Sequence, residues 1–466
     1  MNREGCIALI RAGSVKFCAN DVTVSLPNAS LTEHGLITAS DGWFNLNLRA
    51  SADAKPPPSL GTTFMGSDQC GTATGVIDCV LPFRVSHIWP SLERSTTNGR
   101  MVLQFNFHRL DFSNNPSLQH PAEDVEISGL LEDYKLIAPE KTTDVVEQSA
   151  FFGETTRWRR DTAEGQLAGN WCYGLIQRGN DLEFVLRKED VPSHFDEEQK
   201  ITEAFLASIA FFHGQHARPI WMRHRRNGVY ALDWVENPRP VARSAHRPFN
   251  ERIAHNALVG QIDWNFNKSL RCAFNFFVTK TDLVEEMVDL LRQTRDATAG
   301  TEHKKINNIV VCALLESAIN AIYEARVSPK ESPLKIAFDR ERDSLVLQLD
   351  QQQTNCSDDV GKEALDRLRR RVANVSFEHT RERFRAVVEE LGLKWPSEWE
   401  DTYAFWAKWR HRVIHRGSRS IAPDDFAVDF KIESRIAGAI NLLILRLMDY
   451  KGIAIKSIFE DSFTTV

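Results

Sequence analysis

No two of the eight cysteines form a Cys-x-x-Cys pair; they stand alone at positions 6, 18, 70, 79, 172, 272, 312 and 356. That spacing excludes a zinc ribbon or a thioredoxin-type dithiol and suits reduced, mostly buried thiols of a cytosolic protein. A bilayer-spanning run is also missing. The most apolar stretch, 436–448, contains Asn441 and Arg446 and falls short of the roughly 20 residues that a span requires. Only five apolar residues, 6–10, precede Arg11, too few for the core of a signal peptide. A soluble, cytoplasmic protein with no membrane partner is expected. An excess of positive charge is absent too: 57 Lys and Arg stand against 63 Asp and Glu, a net charge of -6. Any contact with nucleic acid must then be a local basic patch. The chain has no Walker A sequence, no Gly-rich dinucleotide fingerprint and no G-x-S-x-G, which argues against a built-in ATPase, dehydrogenase or serine hydrolase. No cofactor is expected.

The 466 residues are 42% hydrophobic and 26% charged, ordinary for a globular protein but too long for one core. Over the first 145 residues, apolar and polar side chains alternate in short runs such as 43–48 and 101–107, separated by Gly, Pro and Asn breaks. Such runs point to an antiparallel sandwich or barrel, read here as a β-sandwich-like domain over 1–145. Residues 146–280 form a mixed α/β connecting domain. Within it, 181–186 and 228–234 read as strands, and 196–212 as a helix with the stripe Ile201, Phe205, Ile209 and Phe212.

From 281 onward the period becomes helical. Asp282 and Glu285 have capping-box spacing, 306–325 is apolar nearly all round and so central, and 358–372, 377–391 and 429–450 continue the pattern. Gly392 stops one of these helices, and Ser397 with Glu400 opens the next. The alternating segments 334–338 and 344–349 are expected to form an inserted β-hairpin. The fold class is therefore α+β multidomain, with β-rich domains before an all-α bundle over 281–466.

The segment 401–420 is the local basic patch: Lys408, Arg410, Arg412, Arg416 and Arg419 oppose Asp401 alone. Arg offers planar donors to phosphate oxygens, and His titrates near neutrality. A basic last turn that complements the helix dipole fits the same composition. Four Arg-x4-6-His spacings occur, at Arg187/His194, Arg218/His224, Arg239/His246 and Arg410/His415. The first three enclose Pro192, Pro219 and Pro240, which an uninterrupted helix does not tolerate. Only Arg410/His415 lies inside an expected helix. His411 and His415 are helical neighbours, whereas Arg410 and His415 are about 140° apart in projection. His411 and His415 also have the spacing of half a zinc site, but Arg412 occupies the place of the Glu in H-E-x-x-H, so no metal is expected. His213 and His216 read as loop or packing residues. Glu316 and Asn320 lie four apart on the central apolar helix, where a buried carboxylate needs a cationic partner or else faces solvent.

The run Arg410-His-Arg-Val-Ile-His415, the aromatic approach Trp395, Trp399, Phe405, Trp406 and Trp409, and the closing apolar helix ending at 448–452 resemble the HEPN superfamily. Within it, the ApeA-like anti-phage proteins likewise place a β-rich region before the helical bundle. The resemblance implies a metal-independent endoribonuclease acting on RNA, tRNA among the candidate substrates, in abortive-infection defence. It implies a homodimer or higher homo-oligomer that pairs two motifs in one cleft, with the N-terminal domains sensing a phage-derived trigger or restraining a toxic nuclease. By that resemblance Arg410, His411 and His415 are the catalytic candidates, with Glu316, Asn320, Arg412 and Arg416 in support. The alternative is an inactive HEPN bundle used for dimerisation or nucleotide binding, with the β domains as the working part.

Overall fold

The computed structural model describes residues 9, 15–26, 29–40, 43–49, 71–78, 81–90, 95–97, 100–112, 120–136, 141–149, 153–188, 190–236, 246–249, 251–258, 264–299, 304–327, 333–373, 380–393, 397–416, 426–457 and 462–465. The chain divides into two compact units, one comprising 1–243 with 249–278 and the other 244–248 with 279–466.

The first unit opens with β1 (Lys16–Leu26), β2 (Ala29–Ser40), β3 (Trp43–Arg49), β4 (Gly71–Ile77), β5 (Leu81–Pro90), β6 (Ser95–Thr97) and β7 (Arg100–Phe107). Antiparallel pairing runs β1-β2-β3-β7-β5-β4 and returns from β4 to β1, a closed six-stranded barrel. Period-two alternation points Phe44, Leu46 and Leu48 of β3 and Phe105 and Phe107 of β7 into its core, with Phe17, Val24 and Ile37. The sandwich expected over 1–145 is thus corrected to a barrel. Alternation is the same in both architectures, and only the pairing of β5 with both β4 and β7 closes the sheet and removes its edges.

The sheet continues through β8 (Arg109–Asp111), β9 (Val125–Leu131), β10 (Lys141–Ser149), β11 (Gly153–Gln166), β12 (Trp171–Arg178), β13 (Asp181–Lys188), β14 (Pro219–Arg226) and β15 (Val229–Glu236). Strand β9 lies between β13 and β14. The segments 1–145 and 146–280, drawn as separate domains from the sequence, therefore share one sheet and one unit. Gly129 of β9 makes the close approach possible, because a Cβ there would stand 2.6 Å from the Phe184 ring.

Helix α1 (Phe195–His213) buries Ile201, Phe205, Ile209 and Phe212, and Phe205 packs on Tyr173 and Phe184. Its Glu198 is fully buried. Ser193 Oγ donates to it at 2.7 Å, His224 Nε2 lies 2.6 Å away and Arg226 Nε 2.9 Å away. Burial pushes the Glu198 carboxyl up, but the hydrogen bonds from His224 and Ser193 and the charges of His224 and Arg226 outweigh it, so its pKa lies below the ordinary value. Helices α2 (Glu251–Leu258) and α3 (Phe266–Phe277) complete the unit, α3 packing on α1.

The second unit holds α4 (Asp282–Ala299), α5 (Lys304–Ile322), α6 (Pro333–Asn355), α7 (Asp359–Ala373), α8 (Thr380–Glu390), α9 (Ser397–Arg416), α10 (Phe426–Leu447) and the hairpin β16 (Ile453–Ser457) with β17 (Ser462–Thr465). Thr281, not Asp282, caps α4: its Oγ1 accepts the Val284 N–H at 3.3 Å. Helix α5 is central, touching α4, α8, α9 and α10, and a π-helical turn, Tyr323–Val327, follows it. The span Asn308–Val327 is the one segment among the described residues long and apolar enough to cross a membrane, and it is the core helix of this bundle. Gly392, at φ 68°, ends α8. Leu393 N–H bonds Val388 O at 2.9 Å and Gly392 N–H bonds Glu389 O at 3.0 Å, the C-terminal pattern for which Gly is favoured.

The expected β-hairpin at 334–349 is a correction. Residues 333–355 form one helix, α6, which pairs with α7. Its supposed turn, Asp339-Arg-Glu-Arg-Asp343, has none of the Gly, Asn or Pro that a tight turn needs, and Pro333 sits at a helix start, where its missing N–H costs nothing. The alternate leucines are not a buried face: Leu345 and Leu347 are exposed.

Glu198→Gln leaves Arg226 and His224 without a buried counter-charge, and should lower stability at pH 7 by on the order of 3 kcal/mol. Because the folded pKa of Glu198 is depressed, its contribution is present above the unfolded pKa and disappears as pH falls through the folded value. Urea unfolding between pH 7 and pH 3 should therefore show the variant and the parent converging in acid.

Candidate functional site

Helix α9 is built as one continued stripe. Trp399, Tyr403 and Trp406 recur at helical spacing and pack on Phe384 of α8, with ring centroids 6.2, 5.4 and 6.1 Å away. Trp406 is buried, and its indole Nε1 donates to the Cys312 carbonyl of α5 at 2.9 Å. The next residue of the stripe, one turn on, is Arg410. Its direction is set by the aromatic register, and it turns toward α5 instead of solvent.

There it meets Glu316. Arg410 Nε and Nη2 donate to the two carboxylate oxygens, each at 2.8 Å, in a bidentate pair, and the guanidinium lies 5.4 Å from the Trp406 ring centroid. Arg410 is 38% exposed and Glu316 27%, so the pair is only partly withdrawn from solvent. One turn along α5, Asn320 accepts from Arg383 Nη1 at 3.5 Å, and Arg383 lies 5.2 Å over the Tyr323 ring. Glu316 and Asn320 of α5 are thus drawn to cations from two different helices.

His411, Arg412, His415 and Arg416 occupy the last two turns of α9. Their side chains lie outside the described residues. The helix places His411 and His415 four apart on one face, offset from the Arg410 stripe.

Cys312, one turn before Glu316, is buried, which pushes its thiol up to about 12, while the charge of Arg410 pulls weakly the other way. A thiol so shifted is protonated at neutral pH. Among the described residues, no group of three His, Cys, Asp or Glu side chains could hold a metal ion. His213 closes α1 with its ring nitrogens on the Ile209 and Lys135 carbonyls, a packing role.

Further basic side chains cluster at 157–160, 223–226 and 367–371, and most of those in the last two runs have acidic partners. Arg226 and His224 serve Glu198, and Arg223 faces Asp233 at 3.7 Å. In α7, Arg367 pairs with Glu363, Arg370 with Asp366, and Arg369 with Asp350 of α6. The run 157–160 lies on β11 with its side chains outside the described residues.

Arg383 is the site residue that the sequence did not single out. The signal was present in Arg381, Arg383 and Arg385. Positions two apart on a helix point about 200° apart, so when the outer two face solvent the middle one must face the bundle.

No protein-family model, no curated protein and no solved structure gives a significant match to this chain.

Burial of Cys312 yields a direct check. Site-resolved alkylation at pH 8 should modify the exposed Cys18 and Cys172 quickly and leave Cys312 untouched until the protein unfolds. Rapid labelling of Cys312 in the folded chain would show that α9 does not seal α5 through Trp406.

Proposed function

We propose that the protein is a metal-independent endoribonuclease of the HEPN type, acting in the cytoplasm in abortive-infection defence against phage. The observation that carries this assignment is the Arg410–Glu316 pair. The first residue of the Arg-x4-His motif is fixed by a carboxylate from the central helix, at the cationic end of α9, with its side chain still partly exposed. An electrostatic catalyst needs this arrangement, because a preoriented cation loses nothing to reorganisation when charge develops on a phosphate.

In the proposed reaction the RNA 2′-oxygen attacks the adjacent phosphorus as its proton passes to His415. The P–O5′ bond breaks, and the leaving oxygen takes a proton from an imidazolium. Arg410 neutralises the charge gathering on the non-bridging oxygens. His411 positions the substrate or supplies the second proton transfer, Arg412 and Arg416 contact the RNA backbone, and Glu316 with Asn320 supports the site from α5. The products are a 2′,3′-cyclic phosphate and a 5′-hydroxyl. A homodimer would place two motifs across one cleft, which overcomes the angular offset of Arg410 and His415 on a single helix. The β-rich unit would sense a phage-derived trigger or restrain the nuclease.

A second function fits one specific feature. Two of the Arg410 donors are already held by Glu316, as they would be in an inactive bundle that serves dimerisation or nucleotide binding.

The two separate cleanly on His415→Ala. If His415 transfers protons, the variant loses about 10²–10⁴-fold in cleavage rate and melts within a few degrees of the parent, since a dipole contribution at the helix end is roughly 0.3–1 kcal/mol. Cleavage by the parent should persist in excess EDTA. A folded His415→Ala chain that cuts RNA at the parental rate contradicts the assignment of the chemistry to His415, and a parent that cuts none when triggered contradicts the nuclease and leaves the binding module.

A further inference from the structure

Helix α8 treats its three arginines unequally. Arg381 pairs with Glu400, and Arg385 Nε lies 2.8 Å from Glu389 Oε1; both arginines are exposed. Arg383, half-buried, has no carboxylate partner among the described residues. Its contacts are the neutral Asn320 amide and the Tyr323 ring, and its Nε is buried without an acceptor. The order is the reverse of what stability alone would select, because a charge out of water needs a counter-ion more than one in water does. Arg cannot relieve the cost by giving up its proton.

The surroundings say what the missing counter-ion is. Arg383 and Arg410 are anchored on α5 at Asn320 and Glu316, one turn apart, or about 6 Å along the helix axis. Glu316 is committed to Arg410 by both oxygens, so it does not neutralise Arg383. The floor beneath Arg383 is the π-helical turn that begins at Tyr323, a departure from α geometry often found at functional sites. A planar donor fork, stacked on a ring and fixed by an amide, suits an oxyanion.

We propose that Arg383 binds a backbone phosphate of single-stranded RNA next to the one engaged by Arg410. The assignment rests on the ribonuclease proposal and adds a second phosphate site to it. Arg383 takes no part in proton transfer; it sets where the strand lies.

The test uses the full chain and an oligonucleotide whose 2′-oxygens are methylated, so that binding is read without cleavage. Fluorescence anisotropy at several salt concentrations gives the slope of log affinity against log salt. Loss of one phosphate contact on a single strand should reduce that slope by about 0.7. Arg383→Met should show that loss with weaker binding, and a melting temperature equal to or above the parent's, because an uncompensated charge has left the bundle. Arg381→Met should leave the slope unchanged. An Arg383→Met chain with parental slope and affinity overturns the assignment. If Arg383→Met melts lower, Arg383→Lys decides: a retained slope supports phosphate contact, and a lost slope overturns it. A parent that binds no single-stranded RNA overturns both this site and the ribonuclease proposal, whereas parental binding with an unaltered Arg383→Met overturns only this site.

Discussion

The ion pair between Glu316 and Arg410 joins the central apolar helix of the bundle to a basic segment at the end of α9. A carboxylate in the middle of α5 would be costly alone, and a guanidinium at the end of an aromatic stripe would be costly facing it alone. Together, in bidentate geometry, they fix the rotation of α9 about its own axis. That rotation decides which way every later residue of α9 projects, including the two histidines. Trp406 reinforces it one turn earlier through its bond to the Cys312 carbonyl.

The constraint also explains why the surroundings of the site are dry and rigid on one side and charged on the other. Phe384, Trp399, Tyr403 and Trp406 form a continuous layer under Arg410. Above it, Arg410 holds the Glu316 carboxylate and Arg383 holds only the neutral Asn320 amide. An excess of positive charge held by packing is a form of preorganisation, and it is sustained at some expense to stability. The β-rich unit shows the opposite arrangement: in its core, Glu198 is satisfied by Ser193, His224 and Arg226.

Much of this was legible from residue order. The stripe of Ile201, Phe205, Ile209 and Phe212 gave α1, the apolar run 306–325 announced a central helix, and Gly392 marked a helix end. Residue order left Glu316 between a cationic partner and a place facing solvent, and the structure pairs it with Arg410. Sequence alternation failed where it had no tertiary referee. At 334–349 the alternate leucines imitate a strand, yet no turn residues support a hairpin and good helix formers run on to Asn355. In the first domain, alternation identified strands but could not say that β5 pairs with both β4 and β7, because closure is a property of long-range pairing. Arg383 was not legible because a charged segment such as Arg381-Glu-Arg-Phe-Arg385 looks solvated until its helical phase is counted.

Charge reversal tests the central role of the pair most directly. Glu316→Arg and Arg410→Glu should each melt well below the parent, and the double variant, which restores the pair with its ends exchanged, should recover most of that loss. It should not recover RNA cleavage, because the cation now projects from α5 and a carboxylate stands beside the histidines of α9. Single reversals that leave melting unchanged, or a double variant that cleaves RNA like the parent, would contradict the account.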